Sequence, residues 1–274
     1  MIDRELVTKA LAEDLQGGSD ITSLATISED AVSTADFVAR KTGVVAGIEM
    51  ACEVLRQVHL TDFSVLAHDG EVVSAGSTII TVHGSTRAIL QAERTALNFL
   101  SHLSGIATLS RQWVDAVAGT GCIIRDTRKT TPGYRELEKY AVRMGGATNH
   151  RMSLNDAALI KDNHIAAAGG VAAAFISVKS KYPDSPIEIE VDNLVQLQEV
   201  ISLDPDLVLL DNMTPAQCAE AVKLVGGAFP LEASGGISLA NARDYAETGV
   251  NYLAIGALTH SAPILDIGLD MRVE

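Results

Sequence analysis

Three observations predict an α/β fold. Only 4% of the 274 residues are aromatic while 47% are hydrophobic, with Ala, Gly, Val, Leu and Ile dominant, as expected where helices pack closely on a parallel sheet. From residue 122 onward, short apolar runs ending in polar or charged residues recur at the spacing of βα units. The chain is also long enough for one large domain or two ordinary ones, each with a sizeable core.

Up to about residue 90 the grain is mixed. "DRELVTKALAED" and "GIEMACEVLRQV" have helical spacing, whereas "TADFVARKTGVVAG" alternates loosely as a strand. "FSVLAHDGEVV" carries Asp69-Gly70, a turn of the hairpin kind, and "STIITVHGS" comes after it as a further strand. A small α+β domain is expected there. Next, "ILQAERTALNFLSHLSGIATLSRQWVDAVAG" predicts one long helix: Leu97, Leu100, Leu103 and Ala107 share an apolar face, and Arg94, Asn98, Ser101 and His102 form a polar stripe on another. The bland reading of that stripe is a solvated face.

The later strands are expected in "CIIRDT", "AALIKDNH", "IEIEVDN", "LVLLDN", "LEASGG" and "YLAIGA", with "VRMGGATNHRM" as the place for a seventh. A full eight-fold barrel takes about 250 residues and only roughly 150 remain, so an incomplete TIM-like α/β barrel is predicted. "YRELEKYAVRMGG" reads as a helix ended by Gly145-Gly146, with Arg135, Lys139 and Arg143 on one face, most simply a solvated one.

Charge and cysteine content narrow the function. The chain has a formal net charge of -14, which repels nucleic acid unless basic residues are segregated. Residues 125–164 hold eight Lys or Arg against five Asp or Glu, a local +3 that leaves -17 elsewhere. Without interleaved base-stacking aromatics other than tyrosines, that window suits a small anion better than a nucleic-acid groove. Cys52, Cys122 and Cys218 form no CxxC pair and no even disulfide set, which fits a reducing, cytoplasmic setting. The start "MIDRELVTKALAED" lacks the apolar core of a secretory signal, and "IAAAGGVAAAFISV" is too short to span a bilayer, so no membrane role is expected.

In barrels of this sort chemistry sits at the carboxyl ends of the strands. Those ends carry Arg128 and Lys129, then Lys161, Asp162 and His164, then Glu190 and Asp192, then Asp211 and Asn212, then Ser234, Gly235 and Gly236, and last Gly256. Cations from early strands would meet carboxylates from middle ones. Glycine-rich turns after two successive late strands suit a phosphate dianion, held by bare backbone N–H groups and a helix N-terminus. The plainer reading, that the glycines merely allow tight turns, accounts for one turn better than for two in order. Glu190 and Asp211 end apolar runs, a costly place for a charge; Mg²⁺ arriving with a phosphorylated substrate would suit them, and so would a salt bridge to Lys129 or Lys161. Lys161 could also serve a Schiff-base aldolase, although beside Arg128, Lys129, His150 and Arg151 it reads as part of an anion cage.

"QAERTALNFLSHLSGIAT", "DTRKTTPGYRELEKYAVRMGG", "NHRMSLNDAALIKDNH", "IEVD", "LLDNM", "EASGGI" and "GALTHS" occur in an order and spacing that resembles the quinolinate phosphoribosyltransferase family, over nearly the whole chain. "DTRKTTPG" with "NHR" and "LIKDNH" is the most specific part. Ala147, in "GGATNHR", stands where many relatives carry a third glycine. The resemblance implies an N-terminal α/β sandwich domain over residues 1–113 and a barrel over 114–274, the last few residues packing back on the first domain. It implies a homodimer with shared sites, and a reaction of quinolinate with phosphoribosyl pyrophosphate and Mg²⁺ that gives nicotinate mononucleotide, pyrophosphate and CO₂ in NAD biosynthesis.

By similarity, Arg128, His150 and Arg151 would clamp the dicarboxylate, with Arg94 reaching in from the other subunit. Lys129 and Lys161 would hold pyrophosphate and substrate, while Glu190 and Asp211 would meet ribose hydroxyls and Mg²⁺, directly or through water. Ser234, Gly235, Gly236, Gly256 and His260 would bind the 5′-phosphate. A relative encoded with molybdate transporters, with a different phosphoribosyl acceptor, is the main competing resemblance. The set Arg128, Lys129, His150, Arg151 and Lys161 argues against it.

Overall fold

The computed structural model describes residues 2–273, which divide into two compact units. One comprises the chain up to Arg111, Glu136–Gly146 and the residues from Ala262 onward; the other comprises Gln112–Arg135 and Ala147–Ser261.

With elements numbered along the chain, the first unit holds helices α1 (Arg4–Leu15), α2 (Ile21–Thr26) and α3 (Ile48–Gln57), strands β1 (Val32–Ala39), β2 (Gly43–Val44), β3 (Asp62–Val65), β4 (Val72–Val73) and β5 (Thr78–Ser85), and most of the long helix α4 (Thr86–Ala116). Helix α5 (Arg135–Met144), from Glu136, and the last strand, β12 (Ile267–Val273), also belong to it. Asp3 and Asp20 cap α1 and α2 by accepting backbone amides, the role short acidic side chains take at helix starts. The main sheet is antiparallel in the order β12-β1-β5-β3, and β2 pairs separately with β4. Leu97, Leu100, Leu103 and Ala107 are all buried on α4, as their spacing predicts. Gly105 lets the helix approach another backbone segment closely: a Cβ there would lie 2.8 Å from Ile264 Cα.

Two sequence expectations are corrected here. Asp69-Gly70 is not a hairpin turn, because β3 pairs with β5 whereas β4 pairs with β2. Gly70 does adopt a positive φ of 89°, but Asp69 serves packing instead, accepting from the Tyr140 hydroxyl at 2.6 Å and from the Ile48 amide at 3.0 Å. The face of Arg135, Lys139 and Arg143 is not a uniformly solvated one. Arg143 is exposed and Arg135 half-buried, but Lys139 is fully buried, as is its neighbour Glu138, which meets His102 Nε2 at 3.1 Å. Packing of the helix decides which part of a polar face stays wet, and spacing alone does not register it.

The second unit is a parallel sheet, with strands β6 (Ile123–Arg125), β7 (Ala158–Ile160), β8 (Ile187–Val191), β9 (Leu207–Asp211), β10 (Leu231–Ser234) and β11 (Tyr252–Ala254) in the order β6-β11-β10-β9-β8-β7. Its first strand pairs with its last, the mark of a sheet curling into a barrel. Closure is incomplete: between β6 and β7 the expected seventh strand reduces to a single bridge of Thr148 with Arg125. Helices α6 (Asp162–Ala168), α7 (Val171–Lys181), α8 (Leu194–Ile201), α9 (Pro215–Val225), α10 (Ala242–Ala246) and α11 (Ala257–His260) lie in the connections. Among the described residues no helix is long and apolar enough to cross a membrane, and Cys52, Cys122 and Cys218 are buried and free, each thiol pushed up by burial.

Candidate active site at the strand ends

Register brings the strand ends together. Asp211 lies opposite Ser234, Ser234 opposite Ala254, and Ala254 opposite Arg125, so the loops leaving these four strands converge on one mouth.

On the middle strands, Lys161 Nζ sits 2.7 Å from Glu190 Oε2, with the carboxylate buried and the lysine half-exposed. The donor oxygens of Glu190, Asp192 and Asp211 lie within 4.8 Å of one another. Burial first, and then Glu190 and Asp192, raise the Asp211 pKa above its ordinary value against the pull of Lys161. Three carboxylates facing one ammonium leave two negative charges, a donor set that fits a hard divalent cation such as Mg²⁺. The salt-bridge reading of Glu190 holds in this structure with Lys161 as the partner. An amine ion-paired and half-exposed differs from the desolvated lysine a Schiff base needs.

On the late strands, Gly235 and Gly236 adopt φ of 85° and 65°, a left-handed conformation that favours glycine. A Cβ at Gly235 would lie 2.7 Å from Asn212 Cγ. Asn212, itself at φ 53°, donates its amide to Ser234 O at 2.9 Å and its side-chain nitrogen to Asp211 Oδ2 at 2.6 Å. The carboxylate strand and the glycine turn therefore lock each other. Gly256 serves differently: a Cβ there would meet Lys129 Cδ at 2.9 Å and the His260 ring at 3.2 Å. The Lys129 stem crosses that backbone, and Thr259 Oγ1 donates to Lys129 O at 2.8 Å, so Lys129, Gly256 and His260 share one place.

Just past the first strand, the fully buried Asp126 accepts from the His150 amide at 2.8 Å and from Asn149 Nδ2 at 2.5 Å. This ties "DTRK" to "NHR". Arg151 Nη1 donates to Ala157 O at 2.8 Å, and the Arg151 pKa is lowered, by burial first and then by the charge of Arg128. Two guanidiniums close enough to repel, one of them with a buried Nε of Arg128 that has no hydrogen-bond partner, form a preorganised seat for an anion.

His150 faces inward. Its Nε2 lies 2.8 Å from Glu188 Oε2 and 3.3 Å from Glu232 Oε1, and its Nδ1 accepts the Arg151 amide at 2.7 Å. Arg125 Nη1 reaches Glu232 Oε2 at 3.0 Å and stacks over Tyr252 at 4.3 Å. Burial opposes protonation of His150, but the hydrogen bonds to Glu188 and Glu232 outweigh it and push the pKa up to about 9. Burial, and then Glu232, also raise Glu188 despite its bond to His150. Both shifts favour a proton on the pair, and with Nδ1 accepting from Arg151 the imidazole donates from Nε2 toward Glu188.

Sequence reasoning assigns no role to Asp126, Glu188, Glu232 or Arg125, and places Asp192 at a strand end without making it a metal ligand. A signal existed for two: Glu188 and Glu232 stand two residues before Glu190 and Ser234, hence on the same face of their strands. Of the expected residues, the second unit gathers Arg128, Lys129, His150, Arg151, Lys161, Glu190, Asp211, Ser234, Gly235, Gly236, Gly256 and His260. Arg94 is exposed on α4 in the first unit together with Asn98, whereas Ser101 is buried and His102 is engaged by Glu138.

A parallel barrel that carries paired guanidiniums, lysines, a carboxylate trio and two glycine turns in one unit has the donor set that polyanionic, phosphate-bearing substrates require. The chain belongs to the quinolinate phosphoribosyl transferase family, whose N-terminal domain matches residues 20–104 and whose C-terminal domain matches residues 106–270; it is accordingly a phosphoribosyltransferase. It is 50% identical over 274 residues to a nicotinate-nucleotide pyrophosphorylase [carboxylating] of Mycobacterium leprae, covering 98% of this chain and 96% of the relative. It is 39% identical over 273 residues to a probable enzyme of the same name from Bacillus subtilis, covering 99% and 94%. Its fold superimposes on the crystal structure of nicotinate-nucleotide pyrophosphorylase from Ehrlichia chaffeensis with a TM-score of 0.95 at 38% identity, covering 99% of both chains.

Proposed function

We propose that this enzyme transfers the phosphoribosyl group of phosphoribosyl pyrophosphate to quinolinate and releases CO₂, forming nicotinate mononucleotide and pyrophosphate for NAD biosynthesis. The observation that carries the reading is the Arg128 and Arg151 pair, whose charges act on one another, together with the Glu190, Asp192 and Asp211 trio in the same unit. A dicarboxylate answers the first and a cation-bound pyrophosphate the second.

Arg128 and Arg151 hold the two carboxylates and orient the pyridine nitrogen toward the anomeric carbon. The C–N bond forms as the bond to pyrophosphate breaks, through a transition state of oxocarbenium character, while Lys129 and Lys161 hold the departing oxygens. Glu190 and Asp211 meet the ribose hydroxyls and, with Asp192, would hold Mg²⁺. That ion supplies charge neutralisation on the pyrophosphate. The turns at Ser234, Gly235, Gly236 and Gly256, with His260, take the 5′-phosphate. Decarboxylation comes second: the bond from C2 to its carboxylate breaks, CO₂ leaves, and the electron pair stays at C2, stabilised by the adjacent quaternised nitrogen until a proton replaces the lost group.

The working form we propose is a cytoplasmic homodimer in which the partner's N-terminal part completes each site. The exposure of Arg94 on α4 supports its use across such an interface. The test is a product assay with purified protein, phosphoribosyl pyrophosphate and Mg²⁺, comparing quinolinate with nicotinate. Quinolinate-dependent nicotinate mononucleotide and CO₂ are expected; turnover of nicotinate alone would overturn the dicarboxylate reading.

A further inference from the structure

Glu188 and Glu232 stand two residues before Glu190 and Ser234, on the same faces of β8 and β10 and one layer below the strand ends. Both are buried; Glu188 Oε1 has no hydrogen-bond partner, and Glu232 Oε1 has only the 3.3 Å approach of His150 Nε2. A well-packed apolar pair of similar volume would commonly be as stable or more stable at such positions. Their contacts therefore suggest a use other than stability.

Each contact leads to one arm of the guanidinium pair. Glu188 bonds His150 Nε2, and the imidazole, held at that end, accepts the Arg151 amide on Nδ1. The direction of the chain at Arg151 is thereby set by a carboxylate on β8. Glu232 bonds Arg125 at the end of β6, three residues before Arg128, and also approaches His150. Asp126, between Arg125 and Arg128, closes the arrangement by accepting the His150 amide. Among the groups facing His150 are thus Glu188 from β8, Glu232 from β10, Arg125 from β6, and Asp126 and Arg151 from the adjoining loops.

We propose that Glu188 and Glu232 are positioning residues for the dicarboxylate clamp: they act through His150 and Arg125 to hold Arg151 and Arg128 at the spacing that receives quinolinate. This rests on the function proposed above. In it His150 works chiefly from below, since both its ring nitrogens have protein partners. None of these bonds reaches the carboxylate trio or the glycine turns, so binding of phosphoribosyl pyrophosphate should not feel their loss.

The test is calorimetric binding of quinolinate and, separately, of phosphoribosyl pyrophosphate with Mg²⁺, to the wild-type enzyme and to Glu188→Gln, with steady-state constants alongside. Expected are a quinolinate Kd and KM raised about tenfold or more, an unchanged Kd for phosphoribosyl pyrophosphate, and a kcat at saturating quinolinate within about threefold of wild type. Equal weakening of both substrates, or unchanged quinolinate affinity, would overturn the proposal. Should Glu188→Gln fail to fold, Glu188→Asp keeps the charge while shortening its reach, and it is read by the same split. Wild-type enzyme that binds phosphoribosyl pyrophosphate but not quinolinate would overturn the functional reading and this inference together, an outcome distinct from failure of the variant alone.

Discussion

Gly235→Ala tests the interlock between the glycine turn and the carboxylate strand, with Gly236→Ala as its internal control. Both glycines sit at positive φ, 85° and 65°, so each alanine bears about 1–2 kcal/mol of left-handed strain. Only at Gly235 does the added methyl collide: its Cβ would lie 2.7 Å from Asn212 Cγ, while nothing lies within 4 Å of a Cβ at Gly236. Relief requires Asn212 to move and give up its 2.6 Å bond to Asp211, a hydrogen bond to a charged group worth about 1.5–3 kcal/mol. Gly235→Ala should therefore cost about 2.5–5 kcal/mol and Gly236→Ala about 1–2 kcal/mol, by summing these contributions. Denaturant unfolding followed by circular dichroism reads the stability change, and the KM for phosphoribosyl pyrophosphate reads strain relieved by opening the turn. Equal effects of the two substitutions on both readouts would refute the interlock.

Arg128→Ala should raise the KM for quinolinate by about 10–100-fold, the loss of a charge-assisted contact of about 1.5–3 kcal/mol, with phosphoribosyl pyrophosphate affinity nearly intact; equal losses for both would sink the division of roles. Because the Asp211 pKa is raised from 3.8 by burial, Glu190 and Asp192, protonation competes with a cation at higher pH than for an ordinary aspartate. Mg²⁺ affinity, measured by calorimetry, should accordingly begin to fall above the usual carboxylate range as pH is lowered, and an affinity flat down to that range would contradict the trio as its seat. The His150 pair gives a stability slope of the opposite kind. The folded-state pKa of His150 is pushed up to about 9 from 6.5, so the folded chain holds more protons than the unfolded one between those values and stability should decline as pH rises through that window. Glu188→Gln should flatten the decline, and an unchanged slope would argue against the pairing. If Arg94 acts across a dimer, mixing inactive Arg94→Ala with inactive Lys161→Ala should restore activity, and verified heterodimers that stay inactive would count against a shared site.

The six barrel strands were legible because each is an apolar run closed by a polar residue, and so were the residues just past their ends. Gly235 and Gly236 were legible because few residues other than glycine turn so tightly. The buried layer beneath was harder. Glu188 and Glu232 interrupt apolar runs in the same way as Glu190, and only the alternation of strand faces separates mouth from interior. The clamp role of His150 came from the family resemblance; its bond to Glu188 and the bond of its amide to Asp126 across 24 positions have no local signature. Lys139 shows the same limit on a helix, where spacing identifies a shared face but not what covers it. Asp69-Gly70 had the chemistry of a hairpin turn, yet the partners of β3 and β4 were chosen elsewhere in the sheet.

The proposed reaction is tested by following the two carboxylates of quinolinate separately, with ¹³C placed either in the 2-carboxylate or in the 3-carboxylate. The account predicts that the first label appears in CO₂ in equal amount to pyrophosphate and the second stays wholly in nicotinate mononucleotide. Pyrophosphate released without labelled CO₂, or label from the 3-carboxylate in the gas, would contradict it.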